Sequence, residues 1–161
     1  MNVRVPVYDT GMLIALADRK AKPAHLHEAL KATPHRALVL GPVLAQVWRP
    51  NPALVHGLAT TLRDCTVPQA RSSAPPMRDT RAGRPECIAC ATGFDLADWH
   101  RIGTVLGQAQ LPPKKRPDAV DACVALAATK HGSAVIFTSD PEDIAAYLAV
   151  LNPPDVHIHA V

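Results

Sequence analysis

A chain of 161 residues with 48% hydrophobic and 19% charged side chains has enough apolar surface for one globular core, which excludes wholesale disorder. Its net charge of +3, from 17 Lys and Arg against 14 Asp and Glu, is too slight to mark a nucleic-acid binder by balance alone. No run approaches the roughly 20 apolar residues of a membrane span, Asp9, Asp18 and Arg19 interrupt the N-terminal stretch, and the cysteines do not form a dense disulfide framework, so a cytoplasmic protein without a membrane anchor is expected.

The first element is a Val-rich run from Val3 to Tyr8, predicted as a buried strand that ends at Asp9-Thr10-Gly11. Met12, Leu13, Leu16 and Ala17 recur at helical spacing and predict a helix over 11–19, which Pro23 is expected to separate from a second helix over 24–32. Ala37 to Leu40 reads as a strand. Two helices opened by proline follow, Pro42 to Trp48 and Pro52 to Leu62, and then a short strand over 64–67. Residues 69–92 combine prolines, arginines and little apolar periodicity, and are expected to form an irregular excursion from a single domain spanning 1–161. Leu96, Trp99, Ile102 and Leu106 restore a helical pattern over 95–110, closed by the Pro-Pro-Lys-Lys-Arg-Pro run. Pro117 and Asp118 then open a helix over 119–130 that Gly132 stops. A strand over 134–137, a helix over 141–150 and a last strand over 156–159 complete the chain. Strands alternating with helices, joined by crossovers too long for hairpins, predict an α/β fold with a mostly parallel sheet covered on both faces.

In such sheets ligands bind beyond the carboxyl ends of the strands, where strand order reverses. Asp9 directly follows the first strand and Asp140 follows Val135 to Ser139, so adjacent parallel strands would bring both carboxylates to one edge. Asp118 and Asp121 are three residues apart at the start of one helix and share a face. Carboxylates crowded in this way repel unless a cation lies among them, and an all-oxygen set suits Mg²⁺ or Mn²⁺ and therefore phosphodiester chemistry. Thr10, Thr138 and Ser139 could supply hydroxyl hydrogen bonds beside the cluster. Taken singly, each aspartate also suits a plain helix N-cap.

Three segments resemble the PIN-domain family, in particular its VapC-type toxins: Val7-Tyr8-Asp9-Thr10 with Met12 to Leu16, the stretch from Asp121 to Gly132, and Thr138-Ser139-Asp140. The resemblance implies a three-layer α/β/α sandwich, a divalent-metal site formed by Asp9, Asp121 and Asp140, and metal-dependent cleavage of RNA, often regulated by a partner antitoxin. It also implies a homodimer. One position departs from the pattern: Gln46 stands where a typical active PIN domain carries a glutamate, which leaves the site less anionic and raises the alternative of a catalytically weakened RNA-binding or protein-interaction module. Asp118 and Asp143 are candidates to restore the missing charge, Asp143 reading more simply as ordinary helix N-terminal charge.

Lys114-Lys115-Arg116 precedes the acidic helix, and Lys115 and Arg116 are placed to hold a substrate backbone; a solvated basic loop is the plainer alternative. Arg4 and Arg49 are weaker candidates of the same kind. Trp48 and Trp99 fit core or dimer packing better than base stacking. Cys87 and Cys90 have the spacing of half a zinc knuckle or a redox pair, but Cys65 and Cys123 do not form a matching second pair. Asp9-Thr10-Gly11 matches the aspartic-protease triplet, a chemistry that needs paired aspartates in a β-rich fold and is rejected here. The histidines show no ligand pattern, and His157 and His159 suit one face of an edge strand.

Overall fold

The computed structural model describes residues 4–68 and 93–161, and its centre is a sheet of five parallel strands: β1 (Val5–Tyr8), β2 (Ala37–Val39), β3 (Cys65–Thr66), β4 (Ser133–Thr138) and β5 (Asp155–Ala160). Their order is β3-β2-β1-β4-β5. Seven helices are described: α1 (Thr10–Ala17), α2 (Ala21–Lys31), α3 (Gly41–Val47), α4 (Pro52–Leu62), α5 (Leu96–Gln108), α6 (Ala119–His131) and α7 (Pro141–Leu151). Helix α1 packs against α2, α3 and α4, whereas α6 packs against α5 and α7. Right-handed crossovers put these two groups on opposite faces of the sheet, giving the expected three-layer α/β/α sandwich. The excursion over 69–92, with Cys87 and Cys90, lies outside the described residues.

Each element follows from local chemistry. All four residues of β1 are buried, as a central strand covered on both faces requires. Pro6 is compatible with that position because the β1–β2 register starts at Val7, so no ladder bond on that side is asked of the proline. Tyr8 is fully buried and its hydroxyl lies 2.9 Å from Nδ1 of His27, which ties β1 to α2. Helix α6 buries every residue from Ala122 to Ala128, and its small side chains let it lie close against the sheet and its neighbouring helices. Gly132 then ends the helix at a φ of 75°, a left-handed conformation that glycine adopts without a Cβ penalty.

Two expectations need correction. Pro23 does not separate helices; it is the third residue of α2, in the first turn, where its missing N–H has no intrahelical acceptor to lose. Trp48 and Trp99 remain 44% and 48% exposed, so of the two packing roles expected for them the core one does not hold. Among the described residues no helix is long and apolar enough to cross a membrane.

One close approach fixes the entry to α1. A Cβ on Gly11 would stand 2.1 Å from Ser139 Oγ and 2.9 Å from the Ser139 backbone nitrogen, so the helix start and the loop after β4 touch only because residue 11 has no side chain. Gly11→Ala is expected to destabilise the fold by about 2 kcal/mol through this overpacking, read as a lower urea midpoint with an unchanged slope.

Candidate functional site

Strand order reverses between β1 and β4: the chain leaves β1 toward β2 and β3, and leaves β4 toward β5. A crevice at the carboxyl ends of these two strands is the natural ligand position in such a sheet. Three helices begin there. Asp9 is the N-cap of α1, Asp118 that of α6 and Asp140 that of α7, while Asp121 and Asp143 lie in the first turns of α6 and α7. Helix N-termini carry partial positive charge and unpaired amides, which is why acidic residues are tolerated together at this edge.

Asp9 is only 3% exposed. Its Oδ1 accepts from the Thr10 amide at 2.5 Å and its Oδ2 from the Thr138 hydroxyl at 2.7 Å, while the Asp140 amide donates to the same Thr138 oxygen at 2.9 Å. Thr138 therefore connects the aspartates that follow β1 and β4. Burial pushes the Asp9 carboxyl up, against the pull of those hydrogen bonds, and the charge of Asp140 pushes the same way. The Ser139 hydroxyl lies 3.4 Å from Asp140 Oδ2.

A second chain of contacts joins the two helical layers. The Thr10 hydroxyl donates to Gln46 Oε1 at 2.5 Å, and Gln46 Nε2 donates to Asp118 Oδ2 at 3.1 Å. Asp118 Oδ1 accepts from the Val120 amide at 2.7 Å as a helix cap, and the Asp118 amide donates to the buried Tyr147 hydroxyl at 2.8 Å. The amide at position 46 thus acts in both senses, accepting from Thr10 and donating to Asp118. A glutamate there could not donate.

Lys115 enters the cluster as a cation. Its Nζ lies 3.0 Å from Asp140 Oδ1 and 2.9 Å from Asp143 Oδ2, and these two hydrogen bonds raise the ammonium pKa. Asp143 is not an ordinary helix-start charge at the surface: it is 8% exposed, and its Oδ1 is buried without a hydrogen-bond partner among the described residues. Sequence reasoning could not see this burial, because a charged residue three positions into a helix is usually solvated. Tyr147 was also missed as a member of the site, its helical spacing being that of a core residue. Arg116 is exposed beside Lys115. Arg4 is paired instead with Asp155 at 2.8 Å, at the opposite end of the strands, and Arg49 turns back onto the carbonyls of Ala45 in α3 and of Trp48 at its C-cap.

Asp121 is the centre of the cluster. Burial first, then the charges of Asp9, Asp118, Asp143 and Asp140, push its carboxyl up to about 7, and no hydrogen bond from the described residues offsets them. Among the described residues no three acidic, histidine or cysteine side chains converge tightly enough to form a ready-made metal cage. Two members of the cluster are instead engaged by Lys115, and a third by the Gln46 amide.

A raised carboxyl pKa stabilises the fold most below the ordinary carboxylate range, where the group is protonated in both states. Between that range and about 7 the unfolded chain has already released its proton, so stability falls as pH rises. Asp121→Asn removes this loss. In metal-free protein it is expected to flatten the pH dependence over that interval and to add about 1 kcal/mol at neutral pH, a figure discounted for partial exposure, read by thermal and urea unfolding across pH.

Comparison with known proteins finds no family model, no curated protein and no solved structure that matches this chain.

Proposed function

We propose that the chain is a metal-dependent endoribonuclease of PIN type that cleaves RNA phosphodiester bonds at the Asp9, Asp121, Asp140 edge. The observation that carries this reading is Asp121, a half-buried carboxylate surrounded by four others at the strand-order reversal, with no donor among the described residues to offset them. The donor set fits a hard divalent cation such as Mg²⁺ or Mn²⁺, because it consists of carboxylate oxygens; beside it Asp143 Oδ1 is buried with no hydrogen-bond partner among the described residues. Asp9, Asp121 and Asp140 would hold the ion, with Asp118 as an added carboxylate. A bound ion of this kind supplies an activated water and stabilises the charge that develops on the scissile phosphate. Thr138 and Thr10 hold Asp9 and Gln46 in fixed orientations, Ser139 adds a hydroxyl at Asp140, and Arg116 offers an exposed charge for the RNA backbone. A cytoplasmic setting, a partner antitoxin and a homodimer belong to the same reading.

A second reading has its own observation. Gln46 is held as a neutral joint between Thr10 and Asp118, which leaves one anionic ligand fewer than an efficient site would use and favours a weakened RNA-binding or protein-interaction module. Cleavage of RNA with Mg²⁺ or Mn²⁺ separates the two. The nuclease reading expects cleavage that falls at least about a hundredfold in Asp9→Asn and Asp121→Asn, loss of a ligand costing more than loss of a ligand's supporting contact. It also expects Gln46→Glu to raise the metal-dependent rate. A folded wild-type protein that neither cleaves RNA nor binds either metal at millimolar concentration would leave only the second reading.

A further inference from the structure

The contact that balances part of this acidic edge is made by the chain itself. The ammonium of Lys115 bridges Asp140 and Asp143, and Asp143 is buried with its second oxygen unpartnered, so a nearly solvent-free carboxylate has a single strong partner among the described residues. Lys115 reaches it from a tight turn. The Lys115 amide donates to the Pro112 carbonyl at 3.1 Å, Pro113 occupies the second turn position and Lys114 the third with a φ of 72°. That is the pattern of a type II turn, whose third position favours glycine because an L side chain there is strained. Strain kept at a lysine beside an acidic crevice marks a segment held by its contacts rather than by local preference.

We propose that Lys115 is a tethered cation that holds the metal-free site together and must swing out for a divalent ion to enter. The inference rests on the metal-site reading above and adds a means of regulation to it. An ion held by Asp140 would stand close to the ammonium now 3.0 Å from the same carboxylate, and like charges at that separation repel. The two cations therefore exclude one another. Release of the turn also relieves Lys114, which lowers the cost of opening and makes the Pro112 to Lys115 segment a two-position strap. Whatever draws Lys115 away, an RNA phosphate included, favours metal loading, so substrate and metal would bind with positive coupling.

The test uses the full chain and Mn²⁺ alone, with binding read by electron paramagnetic resonance. Lys115→Met is expected to bind Mn²⁺ about three- to tenfold more tightly than wild type, the range that removal of a half-exposed cation from two carboxylates allows. Its metal-free form is expected to melt lower than wild type at neutral pH, with the gap closing at saturating Mn²⁺. Lys114→Gly, which relieves the turn and favours the strap in place, is expected to weaken Mn²⁺ binding. Unchanged or weaker affinity in folded Lys115→Met, or tighter affinity in Lys114→Gly, overturns the strap while leaving the metal site intact, provided that Asp121→Asn still abolishes binding. No Mn²⁺ binding by wild type or by Lys115→Met at millimolar concentration overturns both the strap and the metal-site reading.

Discussion

Mutual repulsion among carboxylates at one sheet edge is the constraint around which this molecule is arranged. Parallel strands that end together start their helices together, and three of those helices begin with aspartate: Asp9, Asp118 and Asp140. Asp121 and Asp143 add two more in the first turns. Helix N-termini offset some of this charge, each by several tenths of a kcal/mol to about 1 kcal/mol. The remainder is spread over Lys115, over donors from Thr10, Thr138 and Gln46, and over a proton that Asp121 holds up to about pH 7.

The donors do more than neutralise. Thr10, Gln46, Asp118 and Tyr147 form a continuous path from α1 through α3 and α6 to α7, crossing from one helical layer to the other. Gln46 is the joint in that path because its amide accepts from Thr10 and donates to Asp118, which an ionised carboxylate could not do. A carboxylate at position 46 would meet Asp118 as a like charge and would be tolerated chiefly when a cation is shared between them. The amide therefore gives an acidic edge whose contacts close among the chain's own side chains, with one anionic group fewer than a carboxylate at position 46 would give. Lys115 acts in the same direction from the other side of the crevice.

Much of the architecture was legible in the sequence because the chain is punctuated where its elements change. Proline opens α4, and Gly132 closes α6 at a positive φ, so the expected limits of these helices fall within a residue of the observed ones. The apolar run of β1 and the position of Asp9 directly after it were readable for the same reason. Contacts between distant segments were not. Nothing local in Lys115 distinguishes a solvated basic run from an ammonium inserted between Asp140 and Asp143, and nothing local in Asp143 announces its burial. Pro23 misled because a proline ends a helix or begins one according to its position within the first turn, which apolar spacing leaves open. For Trp48 and Trp99 helical spacing could not separate a core-facing from an outward-facing aromatic, and both stay about half exposed.

The charge balance at Asp121 can be observed directly. Carbon-13 NMR titration of its carboxyl in metal-free protein should give a midpoint near about 7, falling toward the ordinary carboxylate range when Mg²⁺ is added. An Asp121 that titrates in the ordinary range without metal, and is unmoved by Mg²⁺, would contradict the proposal that this crowded acidic edge takes up a cation.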